Sequence, residues 1–129
     1  MAPISVTLAR RDPPAAVVTL VGEHDAYSAE RLESELTILL EEGEGIVVDL
    51  RDATFIDSTT LSVLLRARLR AEKTSLGFAL LLADREYTQV HQILDLTGLA
   101  PTFAIFEKLD IALAAVRAGR VADHPLKAA

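Results

Sequence analysis

The chain contains no cysteine and no tryptophan. The first absence removes disulfides, zinc–thiolate sites and cysteine nucleophiles, and it fits a reducing compartment. The second belongs to a wider scarcity: aromatics make up 5% of residues while hydrophobics make up 50%. The interior must therefore be filled by Leu, Val, Ile and Ala. No apolar run approaches the about 20 residues that a bilayer span needs. The opening "MAPISVTLARRDPP" lacks the basic-then-apolar order of a secretory signal. Positive charge is also in deficit, with 13 Lys and Arg against 19 Asp and Glu and a net charge of −6. A phosphate-backbone binder needs a concentrated basic surface. Here Arg66, Arg68, Arg70 and Lys73 share one expected helix without aromatic residues to stack bases, which is the pattern of a solvated face. The expectation is a cytoplasmic protein with no membrane insertion and no nucleic-acid partner.

Catalytic motifs are absent too. There is no G-x-S-x-G elbow, no P-loop, no G-x-G-x-x-G and no H-x-x-x-H. The histidines at His24, His91 and His124 are scattered. His24 reads as a surface position, His91 as an ordinary helix residue and His124 as part of the tail. The chain is thus expected to be neither an enzyme nor a metal or cofactor binder.

What is present is a regular alternation of elements in 129 residues, enough for one domain with a core. In "ISVTLAR", Ile4, Val6 and Leu8 alternate with Ser5, Thr7 and Ala9, the period of a half-buried strand. "RRDPP" breaks it, and "AAVVTLVG" completes an antiparallel hairpin. Leu32, Leu36, Leu39 and Leu40 then recur at helical spacing, with Ser28 placed to cap and Gly43 or Gly45 to stop. "IVVDL" reads as a covered strand, and the next helix turns Leu61, Leu64, Leu65 and Leu69 inward. "LGFALLLA" is another strand. Asp84 can cap a third helix carrying Val90, Ile93 and Leu94, which Gly98 ends. "TFAIF" and "LDIALAAVRAG" supply a last strand and helix, the latter with Leu109, Leu113 and Val116 inward. The order β-β-α-β-α-β-α-β-α implies an α/β domain over residues 1–118, with a mixed sheet of four to five strands. Residues 119–129 read as a loose tail.

One junction carries more polarity than a helix start needs. "FIDSTTLS", residues 55–62, follows the strand "GIVVDLRDA" and opens the second helix with an aspartate, two serines and two threonines. Sites in open α/β sheets gather at the carboxyl ends of strands. Asp, Ser and Thr are also the preferred helix caps, so the residues alone leave capping and a functional hydroxyl both open.

The surrounding motifs narrow the choice. "TFIDSTTLSVLL" resembles the "FIDSSGLGVLL"-type loop of the STAS domain family. "VTLVGEHD" is similar to that family's L-x-G-E-L-D strand, and "VHQILDLTGL" to its V-x-x-[IL]-L-x-[IL]-[TS]-G-L helix. The resemblance runs from about Ile4 to Val116, with the motifs in order. It implies a STAS-like fold and, for the bacterial anti-sigma factor antagonist type, a phosphorylation site at the serine after the loop aspartate. That is Ser58, after Asp57, with Thr59 as a minor candidate. It further implies a partner, an anti-sigma factor with serine-kinase activity, and a phosphatase that resets the cycle. Asp25, Asp57, Ser58, Thr59, Thr60 and Ser62 would form the partner-binding surface, and no cofactor is implied. Thr60 and Ser62 stand where the family loop carries glycines, which adds bulk where a partner backbone would approach. The alternative is a STAS binding module without phosphorylation, in a transport or stress-signalling complex.

Overall fold

The computed structural model describes residues 3–9, 13–84 and 86–122. The expected hairpin is β1 (Ile4–Ala9) against β2 (Ala15–Leu20), antiparallel with Ile4 opposite Leu20. A short strand β3 (Gly22–His24) leads into α1 (Ala26–Glu41), then β4 (Gly45–Asp49), β5 (Ala53–Ile56) and α2 (Ser58–Lys73). The chain continues through β6 (Phe78–Leu81), α3 (Gln89–Thr97), a 3-10 turn at Ala100–Thr102, β7 (Ala104–Phe106) and α4 (Leu109–Arg117). The main sheet has five strands in the order β1-β2-β4-β6-β7, parallel apart from the opening hairpin. This is the expected mixed α/β sheet. No helix among the described residues is long and apolar enough to cross a membrane.

Alternation along the strands sorts side chains between the two sheet faces. Ala16, Val18, Leu20, Ile46, Val48, Phe78 and Leu80 pack with Leu32 and Leu36 of α1, Leu64 and Ala67 of α2, and Val90 and Leu94 of α3. Val17, Val47, Ala79, Leu81 and Ala104 lie on the other face, under Ala112 and Val116 of α4. Three helices thus cover one face and α4 covers the other. The backbone of α4 comes so close to the start of β6 that a Cβ on Gly77 would overlap the Val116 carbonyl oxygen. Only glycine fits there.

Several local expectations change. Val6 and Leu8 are exposed, because β1 is the outer strand and is shielded only at its ends, at Ile4 and in part at Ala9. Leu69 is 43% exposed rather than inward, and Leu65 packs at the margin of the core. Asp25, not Ser28, caps α1: its carboxylate accepts from the Tyr27 N–H, and Ser28 is buried within the first turn. Thr88, not Asp84, caps α3, in a capping box with His91. The helix starts later than its apolar pattern suggested, since the reciprocal Thr88–His91 bonds satisfy the first-turn donors there. Gly98 ends α3 in the left-handed conformation, φ 71°. His124 and the rest of residues 123–129 lie outside the described residues.

Candidate functional site

The strands β3 and β5 form a small parallel sheet of their own, with His24 opposite Ile56. Each ends one residue before an aspartate that caps a helix. Asp25 caps α1, and Asp57 caps α2 by accepting the Thr60 N–H at 2.9 Å. Pairing the strands therefore sets the N-termini of α1 and α2 side by side. The Asp57 N–H donates to the His24 carbonyl at 3.2 Å, and the Thr60 hydroxyl donates to the same oxygen at 3.2 Å. One carbonyl of β3 thus anchors the start of α2 by two bonds.

Ser58 is the first residue of α2 and is exposed, as are Thr59 and Ser62. Helix geometry leaves the N–H groups of the first turn without intrahelical partners. The Asp57 side chain takes one of them, at Thr60. The Ser58 hydroxyl therefore stands in solvent at the positive end of a helix, with Asp57 beside it and Asp25 at the next helix start. Tyr27, 86% exposed, and Phe55 are solvent-facing aromatics on the adjoining segments.

Thr60 departs from the expected docking surface. Its side chain is fully buried, because its hydroxyl has turned inward to the His24 carbonyl. The added bulk relative to glycine fills space beneath the loop rather than above it.

His24 is corrected more sharply: it is buried, not a surface residue. Its Nε2 bonds to the Val21 carbonyl at 3.0 Å, which makes Nε2 the donor. Nδ1 is then the acceptor, 3.0 Å from the Ser28 hydroxyl. Burial pushes the imidazole below its ordinary range, opposed by the Val21 hydrogen bond and the Asp25 carboxylate. The neutral ring therefore holds β3 to the first turn of α1.

A further contact escaped the sequence. The Gln89 side chain, at the first position of α3, reaches the backbone of Ile56. Its Oε1 accepts from the Ile56 N–H at 2.8 Å, and its Nε2 donates to the Ile56 carbonyl at 2.9 Å. Nothing in the motif pattern marks this residue, since its partner is main chain. Among the described residues no cluster of three His, Cys, Asp or Glu could hold a metal ion.

This is the architecture of a small α/β domain with a polar loop at a strand end. The STAS domain family model matches residues 7–112, and the chain belongs to the STAS domain family. Its fold is similar to a solved anti-sigma factor antagonist from Mycobacterium paratuberculosis, at 28% identity and TM-score 0.69, covering 89% of this chain and 95% of that one. It is also similar to the Bacillus cell fate determinant SpoIIAA in its phosphorylated form, at 17% identity and TM-score 0.64, covering 88% and 99%. A sulfate transporter family protein from Wolinella succinogenes matches at 23% identity and TM-score 0.61, covering 80% and 84%. No curated protein matches the chain in sequence.

Proposed function

We propose that this STAS domain is a cytoplasmic anti-sigma factor antagonist, a binding module and not an enzyme, switched by phosphorylation of Ser58. In this reading an anti-sigma factor with serine-kinase activity docks on the face formed by Asp25, Asp57, Ser58, Thr59 and Ser62. It transfers the γ-phosphoryl group of ATP to the Ser58 oxygen and then lets go, and a phosphatase restores the hydroxyl. The observation that carries the reading is the placement of Ser58: an exposed hydroxyl at a helix start, directly after the Asp57 cap, with the Asp25 cap directly after the strand paired to β5. A phosphoryl group adds about −1.5 to −2 charges at neutral pH. The helix N-terminus tolerates the anion locally, while Asp25 and Asp57 make a docked, desolvated interface reject it. The likeness to anti-sigma factor antagonists, one of them solved phosphorylated, supports the same reading.

The test is incubation with kinase-type anti-sigma factors and ATP, followed by mass spectrometry of the loop peptide. Phosphate on Ser58, lost in Ser58→Ala, is expected, as is weaker binding by Ser58→Asp with the fold intact. Labelling that persists in Ser58→Ala moves the acceptor to Thr59; Thr60 is buried. A second reading, a STAS module that binds without phosphorylation, draws on the exposed Ser62 in place of a family glycine and on the sulfate transporter family neighbour. Absence of any labelling favours it.

A further inference from the structure

We propose that Gln89 is a positioning residue for Ser58: its side-chain amide clamps the last residue of β5 and so fixes where the loop presents its hydroxyl. This rests on the reading of Ser58 as phosphoacceptor.

β5 has a strand partner, β3, on one edge only. On that edge the bond from the Asp57 N–H to the His24 carbonyl holds the chain. Successive residues of a strand direct their backbone groups to opposite edges, so Ile56 directs its N–H and C=O the other way. There the Gln89 amide meets both, at 2.8 and 2.9 Å. A primary amide carries the same donor and acceptor as a peptide unit. Gln89 therefore stands in for one residue of a missing neighbouring strand. Only one orientation of the amide satisfies both Ile56 groups, so the contact is specific. Its two bonds and the His24 bond grip consecutive residues from opposite sides, immediately before Ser58.

The clamp is itself held. Gln89 follows Thr88, whose N–H donates to the His91 Nδ1 at 3.0 Å and whose hydroxyl caps the helix. The Tyr87 ring stacks on His91 with centroids 5.5 Å apart, and the Tyr87 hydroxyl bonds to Asp95. The start of α3 is thus fixed by four side chains before Gln89 reaches across to β5.

The clamp also sits beside solvent. Gln89 lines an open depression of about 350 Å³ together with Thr54 and Thr88. Ile56 itself is buried, so without the amide its N–H and C=O find partners only if the strand end opens toward this depression. The expected result is a frayed strand end, with Ser58 two residues further along. Group transfer is sensitive to such loosening, since a misplacement of about 1 Å can cost on the order of 10²-fold in rate.

The test uses the full chain with Gln89→Leu and Gln89→Glu. Amide hydrogen exchange reads the clamp at Ile56, and phosphate transfer is measured with a kinase-type anti-sigma factor and ATP, separating kcat from KM. In Q89L, Ile56 exchange should rise by about 10-fold and kcat should fall by about 10-fold with KM little changed. In Q89E the carboxylate accepts from the Ile56 N–H but has no proton for the carbonyl, and protonation restores the donor. The Ile56 amide chemical shift should therefore return toward the wild-type value on acidification in Q89E and not in Q89L. The pH profile reports the contact itself, and a role in stability alone would leave the kcat-against-KM split unmoved. Unchanged Ile56 exchange in Q89L, or faster exchange with unchanged kcat, overturns the positioning role while leaving Ser58 as acceptor. A wild-type chain that takes no phosphate overturns the Ser58 reading, and the positioning role with it.

Discussion

Thr60 offers the most direct probe of how the start of α2 is held. Thr60→Val keeps the shape of the side chain and removes only the hydroxyl. The bond lost is long, at 3.2 Å, against an ordinary O–H···O distance of about 2.7–2.8 Å. Its acceptor, the His24 carbonyl, keeps the Asp57 N–H, so no buried group is orphaned. The expected cost is therefore in the lower half of the usual range, about 0.5–1 kcal/mol. Thr60→Gly also removes the buried methyl group and lowers helix propensity, for about 2 kcal/mol in all. Urea titration measures both, provided the slope m is unchanged. The order wild type, valine, glycine is the content of the prediction. A glycine variant as stable as wild type would refute the view that Thr60 fills and bonds the space under the loop. It would return this position to the exposed surface of the family motif.

Two further outcomes follow from burial. Leu64→Ala should cost about 2–5 kcal/mol, since Leu64 is wholly enclosed, whereas Leu69→Ala should stay within about 0.5 kcal/mol; equal losses in denaturant titration would say that the face of α2 is misassigned. His24 should give the protein a pH-dependent stability. Its folded-state pKa lies below the ordinary 6.5, so as pH falls through that value the unfolded chain takes up a proton that the folded one refuses. Stability should decline across this window and level off once the buried ring is protonated as well. His24→Leu should remove that component, and matching slopes for the two proteins between about pH 8 and about pH 5 would exclude it.

The features legible in the sequence are those with a long repeating pattern. The leucines at 32, 36, 39 and 40 all face the core, because sixteen residues of helix give the period room to show. The five-stranded sheet followed from the alternation of elements, and the loop at Ser58 from its polar cluster after a strand. The small β3–β5 sheet did not show. Its strands have three and four residues, too few for a period, and they pair only after α1 has brought them together. His24 looked like a surface residue because its partners are a backbone carbonyl and a serine hydroxyl, which a pattern of apolar residues cannot signal. Gln89 was invisible for the same reason, its partner being the main chain of a residue 33 positions away. The caps at Asp25 and Thr88 were misplaced by a few residues, since several hydroxyls and carboxylates near each helix start were chemically eligible.

The lone cover of α4 gives the molecule a front and a back with separate liabilities. The loop that carries Ser58 belongs to the ends of β3 and β5, while Val47, Ala79, Leu81 and Ala104 shelter beneath Ala112 and Val116. Cleavage ahead of Leu109 would bare that greasy strip before it disturbed the loop, so a clipped protein would lose solubility first and recognition second. The chain that leaves α4 passes back to the three-helix side, where Val121 packs at the margin of that core and its carbonyl accepts from the Arg68 guanidinium of α2, so the back is roofed by a single helix whose exit is tied to the front.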